Sequence, residues 1–363
     1  MSDAPPTKTT SWWYILLACI GLIVVGLGVW IGISVAYEPS SSSVAAAKPV
    51  FQTYNQVTRL APLGCPQESQ YRLCDFYVAS SSYSVFPGAK IYDYVSDGIL
   101  PMVIRAGARL VELDIYADEQ DKPVVGLKNQ KLGTDYAYNT VPFQACCISI
   151  ANNAFNAINC PVSSDPFMLS LVFHTNKTHV VNACAEILKT TCLSKMLGFE
   201  YGYQRKNLAL EPVCNLQNKI IIISGGGEIK GTLMEELVNL SWSTSHLRRL
   251  TYVQASQPHD ADELVEYNRT HITMVVPDLE DDLVNMNPHI LFTYGCQWNM
   301  MNYGSIDTMM EFYIGEFQES SINLKPAALR ELKQKKYKTP VMPDPAVSFQ
   351  PQQKVSPIYN ITV

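Results

Sequence analysis

Between Trp12 and Tyr37 the chain carries no charged residue, and most positions are apolar. A bilayer-crossing α-helix needs about 20 such residues, so residues 12–37 read as a transmembrane segment following a short arm, residues 1–11. Trp12, Trp13 and Tyr14 at one end, with Trp30 and Tyr37 toward the other, match the aromatic belts of membrane interfaces. The stretch exceeds the apolar core of a cleaved signal peptide, which predicts an uncleaved signal anchor. Gly28 and Gly32 have the GxxxG spacing that packs membrane helices, although glycine is common in such helices anyway.

Beyond it the pattern changes. Residues 38–50, rich in Ser, Ala and Pro, read as a flexible tether. Apolar runs of strand length follow: Phe76–Ser82, Leu110–Tyr116, Pro123–Leu127, Phe167–His174, Lys219–Ser224, Leu250–Ala255, Ile272–Val276 and His289–Cys296. Helical periodicity lies between several of them, at Tyr92–Ala106, Ile148–Ile158, Thr178–Leu188, Leu233–Leu240 and Ala261–Tyr267. Strands alternating with helices in this way predict a (β/α)8 barrel over residues 51–332. Residues 333–363 are first basic (Lys333 to Lys338), then Pro-rich, and read as a tail.

Composition adds exclusions. A net charge of −6 gives no electrostatic case for nucleic acid. No Walker loop, HExxH, paired CxxC motif or internal repeat is present. Ten cysteines, one of them (Cys19) inside the span, leave nine for the rest of the chain, so at least one stays unpaired. Cys65/Cys74, Cys147/Cys160 and Cys184/Cys192 are close in sequence, as suits disulfides in an oxidising compartment. Sequons at Asn176, Asn239, Asn268 and Asn360 point the same way. Lys8 in the arm weakly favours a cytosolic amino terminus, with the barrel luminal or extracellular.

The candidate chemistry lies in Arg109-Leu-Val-Glu-Leu-Asp-Ile-Tyr116. A strand's period of two puts Glu112 and Asp114 on one face. Adjacent carboxylates repel, so a cation, an arginine or water at a strand end must offset them. In a barrel of this kind the site lies at the carboxyl ends of the strands.

The same residues carry a family likeness. Phe76-Tyr-Val-Ala-Ser-Ser-Ser82, Gly107-Ala-Arg-Leu-Val-Glu-Leu-Asp114, Lys122-Pro-Val-Val125 and Phe167-Met-Leu-Ser-Leu171 with His174 resemble the X half of a eukaryotic-type phosphoinositide-specific phospholipase C. Glu266-Tyr-Asn-Arg-Thr-His271, Asn287-Pro288, Gly295-Cys-Gln-Trp-Asn299 and Asn323-Leu-Lys-Pro326 resemble the Y half. The likeness spans residues 70–330 and implies a distorted TIM-type barrel built from both halves.

It also implies a site that this chain lacks. Such enzymes use two histidines as general base and acid; Ser82 and Leu127 occupy those places. Tyr83 replaces a calcium-binding asparagine, and Val172 an acidic calcium ligand. The substrate-gripping lysines and arginine give way to Ile222-Ile-Ser-Gly-Gly-Gly227 and Met274. Only Glu112 and Asp114 as residual metal ligands, and Ser256 as a substrate contact, survive. His271 matches a Y-half histidine and reads as structural. Each missing acid or base forfeits on the order of 100- to 10,000-fold in rate. Calcium takes six to eight oxygens, so two carboxylates with waters make a poor site. The resulting expectation is a catalytically inactive, membrane-anchored barrel with no cofactor, which binds a protein partner rather than phosphoinositides. The alternatives are a divergent phosphodiesterase with a metal on Glu112 and Asp114, and a headgroup or glycan receptor.

Overall fold

The computed structural model describes residues 12–36, 39–65, 67–88, 92–128, 135–278, 283–331 and 353–362. Eight parallel strands form the barrel: β1 (Ser80–Ser82), β2 (Leu110–Ala117), β3 (Phe167–Phe173), β4 (Ile220–Ser224), β5 (Leu240–Ser241), β6 (Leu247–Thr251), β7 (Ile272–Val276) and β8 (Trp298–Asn302). They pair in the order β5-β4-β3-β2-β1-β8-β7-β6, so the barrel is nearly closed, with its seam between β5 and β6. Ile220, Ile221, Ile222 and Ile223 of β4 are all fully buried, as expected of a strand covered on both faces.

Two of the eight expected strands lie elsewhere. Pro123–Val125 is not a barrel strand but folds back antiparallel on the end of β2. The run His289–Cys296 holds a helix, Pro288–Thr293, because Asn287 caps it and Pro288 takes the first turn, where a missing N–H costs nothing. The eighth strand follows it in Trp-Asn-Met-Met-Asn, a composition with little strand character. Leu233–Leu240 is not helical; its last residue opens β5. β6 begins at Leu247 rather than Leu250, and Tyr252–Ser256 turn helical under a capping box between Thr251 and Gln254. The run Phe76–Ser82 breaks at Ala79: Phe76–Val78 pairs antiparallel with Ile322–Leu324, and only Ser80–Ser82 enters the barrel. Of the stretch Tyr92–Ala106, only Leu100–Arg105 is α-helical.

At the amino ends of the strands, polar side chains close the barrel. Gln297 donates to the carbonyls of Cys74, Asn268 and His271. Lys325 is buried and donates to the Asn268 and Gly295 carbonyls, and burial lowers its pKa to about 8. His271 stacks between Tyr267 and His246 at this end, away from the mouth. The likeness residues of the second half are thus structural here.

The expected tether is a helix. Trp12–Ala36 forms α1, and Pro39–Val57 forms α2. Ala47, Phe51 and Tyr54, spaced i, i+4, i+7, are buried, and the Tyr54 hydroxyl donates to the Tyr303 carbonyl at 2.9 Å. Burying the two aromatics contributes about 1.5–3 kcal/mol each. Tyr37 and Glu38 lie outside the described residues. α1 is an apolar helix with its side chains exposed from Trp12 to Trp30, and at roughly 1.5 Å per residue its 25 residues exceed a hydrocarbon core of about 30 Å.

The disulfide joins Cys65 to Cys214, not to Cys74; Cys147, Cys160, Cys184 and Cys192 are buried free thiols. Proximity in sequence misleads because a barrel brings distant loops together. Asn239 and Asn268 are buried and hydrogen-bonded, so two of the four sequons are closed to modification, whereas Asn176 and Asn360 are exposed. Residues 331–363 form a separate unit, described only as an antiparallel hairpin of Gln353–Val355 with Asn360–Thr362; the basic stretch lies outside the described residues.

Candidate functional site

Glu112 and Asp114 face the barrel interior near its mouth, as period two requires, and each already has partners. Arg249 on β6 reaches across the interior and donates to Glu112 Oε1 at 2.8 Å. Ser170, the register partner of Glu112 on β3, donates to Oε2 at 2.9 Å. His174 Nε2 lies 2.6 Å from Asp114 Oδ1, and its ring stacks on Tyr116 at 4.6 Å. The Glu112 side chain is only 7% exposed, so its charge is neutralised inside the protein by Arg249.

The surroundings fix Arg249 in place. Its guanidinium lies 5.4 Å from the Trp242 ring. Trp242 in turn lies so close over Gly225 that a Cβ there would stand 2.5 Å from the indole, so only glycine fits. This accounts for the start of the glycine run after β4 by close packing; Gly226 adds a left-handed turn at φ +91°. Met274, where the resemblance expects an arginine, is the register partner of Arg249 on the neighbouring strand. A cation is therefore present one strand away, but it is spent on Glu112.

The cavity at the mouth measures about 240 Å³ and is lined by Ser82, Tyr83, Glu112, Asp114, Leu127 and Arg249, among others. That is below the roughly 300–1,000 Å³ of most small-molecule sites. Ser82 and Leu127 thus stand beside the two carboxylates, where the resemblance puts histidines, and both are buried. Val172 is the register partner of Asp114. Tyr83 sits at φ +50°, and its phenol is pushed far up, by burial first and then by Asp114 and Glu112. Ser256 ends the short helix after β6 and is not among the cavity's lining residues.

A calcium ion does not fit this donor set. Glu112 Oε1 and Oε2 are engaged by Arg249 and Ser170, and Asp114 Oδ1 by His174, which leaves far fewer oxygens than the six to eight that calcium takes. Among the described residues, no three His, Cys, Asp or Glu side chains gather closely enough to hold a metal. Arg249 is not legible in the sequence, because the apolar run starts at Leu250 and leaves the arginine outside it, whereas the strand starts at Leu247.

Residues 69–225 match the family model for the phosphatidylinositol-specific phospholipase C X domain. The barrel has a phospholipase C-like fold. Among solved structures, PLC21 of L. pealei aligns at a TM-score of 0.60 with 22% identity, over 76% of this chain and 39% of that one. PLC21 of S. officinalis aligns at 0.58 with 21% identity, over 73% of this chain and 38% of that one. The chain therefore spans about two-fifths of those proteins' length, and at such identity the likeness shows the fold. No curated protein matches the sequence. The phospholipase C-like barrel thus holds an acidic pair at its mouth that this chain's own arginine and histidine engage.

Proposed function

We propose that this protein is a membrane-anchored, catalytically inactive phospholipase C-type barrel that serves as a binding or structural module within a membrane-associated protein assembly. The observation that carries this reading is the Arg249–Glu112 pair: a carboxylate of the old site is bound by a cation from across the barrel. Ser82 and Leu127 offer no group that titrates near neutral pH where the resemblance puts the general base and acid, and His174, hydrogen-bonded to Asp114, is not among the cavity's lining residues. The α1 helix supports anchoring by its length and apolarity, and the Cys65–Cys214 disulfide supports a luminal or extracellular barrel. A protein partner fits better than a phosphoinositide, because the cavity is small and its one interior arginine is already paired.

Calorimetric titration of the detergent-solubilised full chain with calcium tests the reading. It predicts no binding heat in the parent, and none in the Glu112→Ala/Asp114→Ala double variant. Saturable heat in the parent that the double variant loses would favour a divergent metal-dependent phosphodiesterase instead.

A further inference from the structure

Another cavity lies at the amino end of the barrel, where the chain beyond α2 meets the loops that lead into β2 and β3. It measures about 490 Å³, against about 240 Å³ at the mouth, and falls within the roughly 300–1,000 Å³ of most ligand sites. Leu60, Ile158 and Pro161 give it an apolar side, Arg59 and Arg105 supply two cations, and no acidic side chain lines it. In a chain of net charge −6 this is a local reversal of sign.

The fold holds each of these groups in place. Arg59 follows α2, and one guanidinium nitrogen donates to the Gln56 and Thr58 carbonyls at 3.1 and 3.0 Å. Arg105 ends the helix Leu100–Arg105 and donates through one nitrogen to the Ile158 carbonyl at 3.5 Å. The rest of each guanidinium fork is open. Neither arginine forms an ion pair among the described residues, whereas Arg72, Arg248, Arg249 and Arg269 do. Ile158 is 83% exposed, more than any other large apolar side chain of the barrel among the described residues. A turn presents it: the Asn156 side chain accepts from the Ile158 N–H at 3.0 Å, and the Asn156 carbonyl accepts from the Asn159 N–H at 2.9 Å.

A single exposed isoleucine is ordinary. Held outward beside two guanidiniums without carboxylate partners, it joins the arginine and apolar anchors that dominate protein interfaces. The complementary group must bring negative charge, and a guanidinium fork takes a carboxylate through two parallel bonds. A bilayer surface matches less well, because anionic headgroups are recognised by clusters of about four to eight basic residues.

We propose that this cavity docks a segment of a partner protein that carries two acidic side chains beside an apolar one. The acids pair with Arg59 and Arg105, and the apolar residue packs on Ile158 and Leu60. This rests on the binding-module reading above and gives the partner its chemistry.

The test selects a phage-displayed library of random peptides on the immobilised, detergent-solubilised full chain, with the Arg59→Gln/Arg105→Gln chain selected in parallel. Both arginines are exposed, so the variant should melt at the parent's temperature. The expected result is a consensus of paired acids next to an apolar residue on the parent and its loss on the variant. In fluorescence anisotropy the selected peptide should bind the double variant about tenfold or more weakly. Ile158→Asp, which adds a carboxylate to the cavity, should weaken it as well. An acid-free consensus, no consensus, or the same peptides on both chains would overturn the proposal. So would arginine-dependent retention of the chain on phosphatidylserine-coated beads without any peptide consensus, which would make the ligand a lipid. Phosphatidylinositol turnover by the same preparation would instead overturn the binding-module reading; a failed selection without turnover overturns the docking site alone.

Discussion

Glu112 accepts from Arg249 at 2.8 Å and from Ser170 at 2.9 Å, one partner on each oxygen. Arg249→Met removes the cation and leaves a buried carboxylate with one hydroxyl, which should cost about 3 kcal/mol in urea unfolding of the solubilised chain. Adding Glu112→Gln should restore most of it, because no charge then remains to be matched. A loss below about 1 kcal/mol would mean that the pair is not the neutralising contact. Asp165 gives a pH signature. It is fully buried, one oxygen accepts from the Leu63 N–H, the other has no partner among the described residues, and burial raises its pKa to about 6. An unfolded aspartate titrates near 3.9, so between roughly pH 4 and 6 the folded chain holds a proton that the unfolded chain has released. Stability should therefore fall as pH rises through that window, and Asp165→Asn should flatten the slope; an unchanged slope would assign it to other groups. At this scale the sequence carried Glu112 and Asp114 legibly, since period two alone puts them on one face. Their partners were not legible, because pairing across a barrel has no signature in sequence spacing.

At the level of elements, α2 shows how tertiary packing overrides a local reading. Four serines and Pro49 suggest a tether, yet Ala47, Phe51 and Tyr54 supply a helical stripe that the barrel buries. Phe51→Ala should cost about 3 kcal/mol of the helix's docking and expose the chain to trypsin at Arg59; unaltered digestion would contradict that packing. Long strands with strong patterns, β2, β3, β4 and β7, were readable to within a residue or two. β5 and β8 were not: one is two residues long, and the other reads as polar and Met-rich. The sequons sort by the same packing. Asn239 bonds the backbone of Ile222 and Asn268 that of Tyr294, so any glycan mass should map to Asn176 or Asn360. A glycopeptide carrying Asn239 or Asn268 would contradict the fold around β5 and β7.

For the molecule as a whole, the barrel has a phospholipase C-like fold, and the acidic pair at its mouth is engaged by this chain's own Arg249 and His174. The account's central claim is that this rearrangement abolishes the chemistry. The direct measurement is release of inositol phosphate from phosphatidylinositol vesicles with calcium present, by the purified full chain and by the Glu112→Ala/Asp114→Ala variant. The account predicts that both match the protein-free background. Turnover by the parent that disappears in the double variant would contradict it.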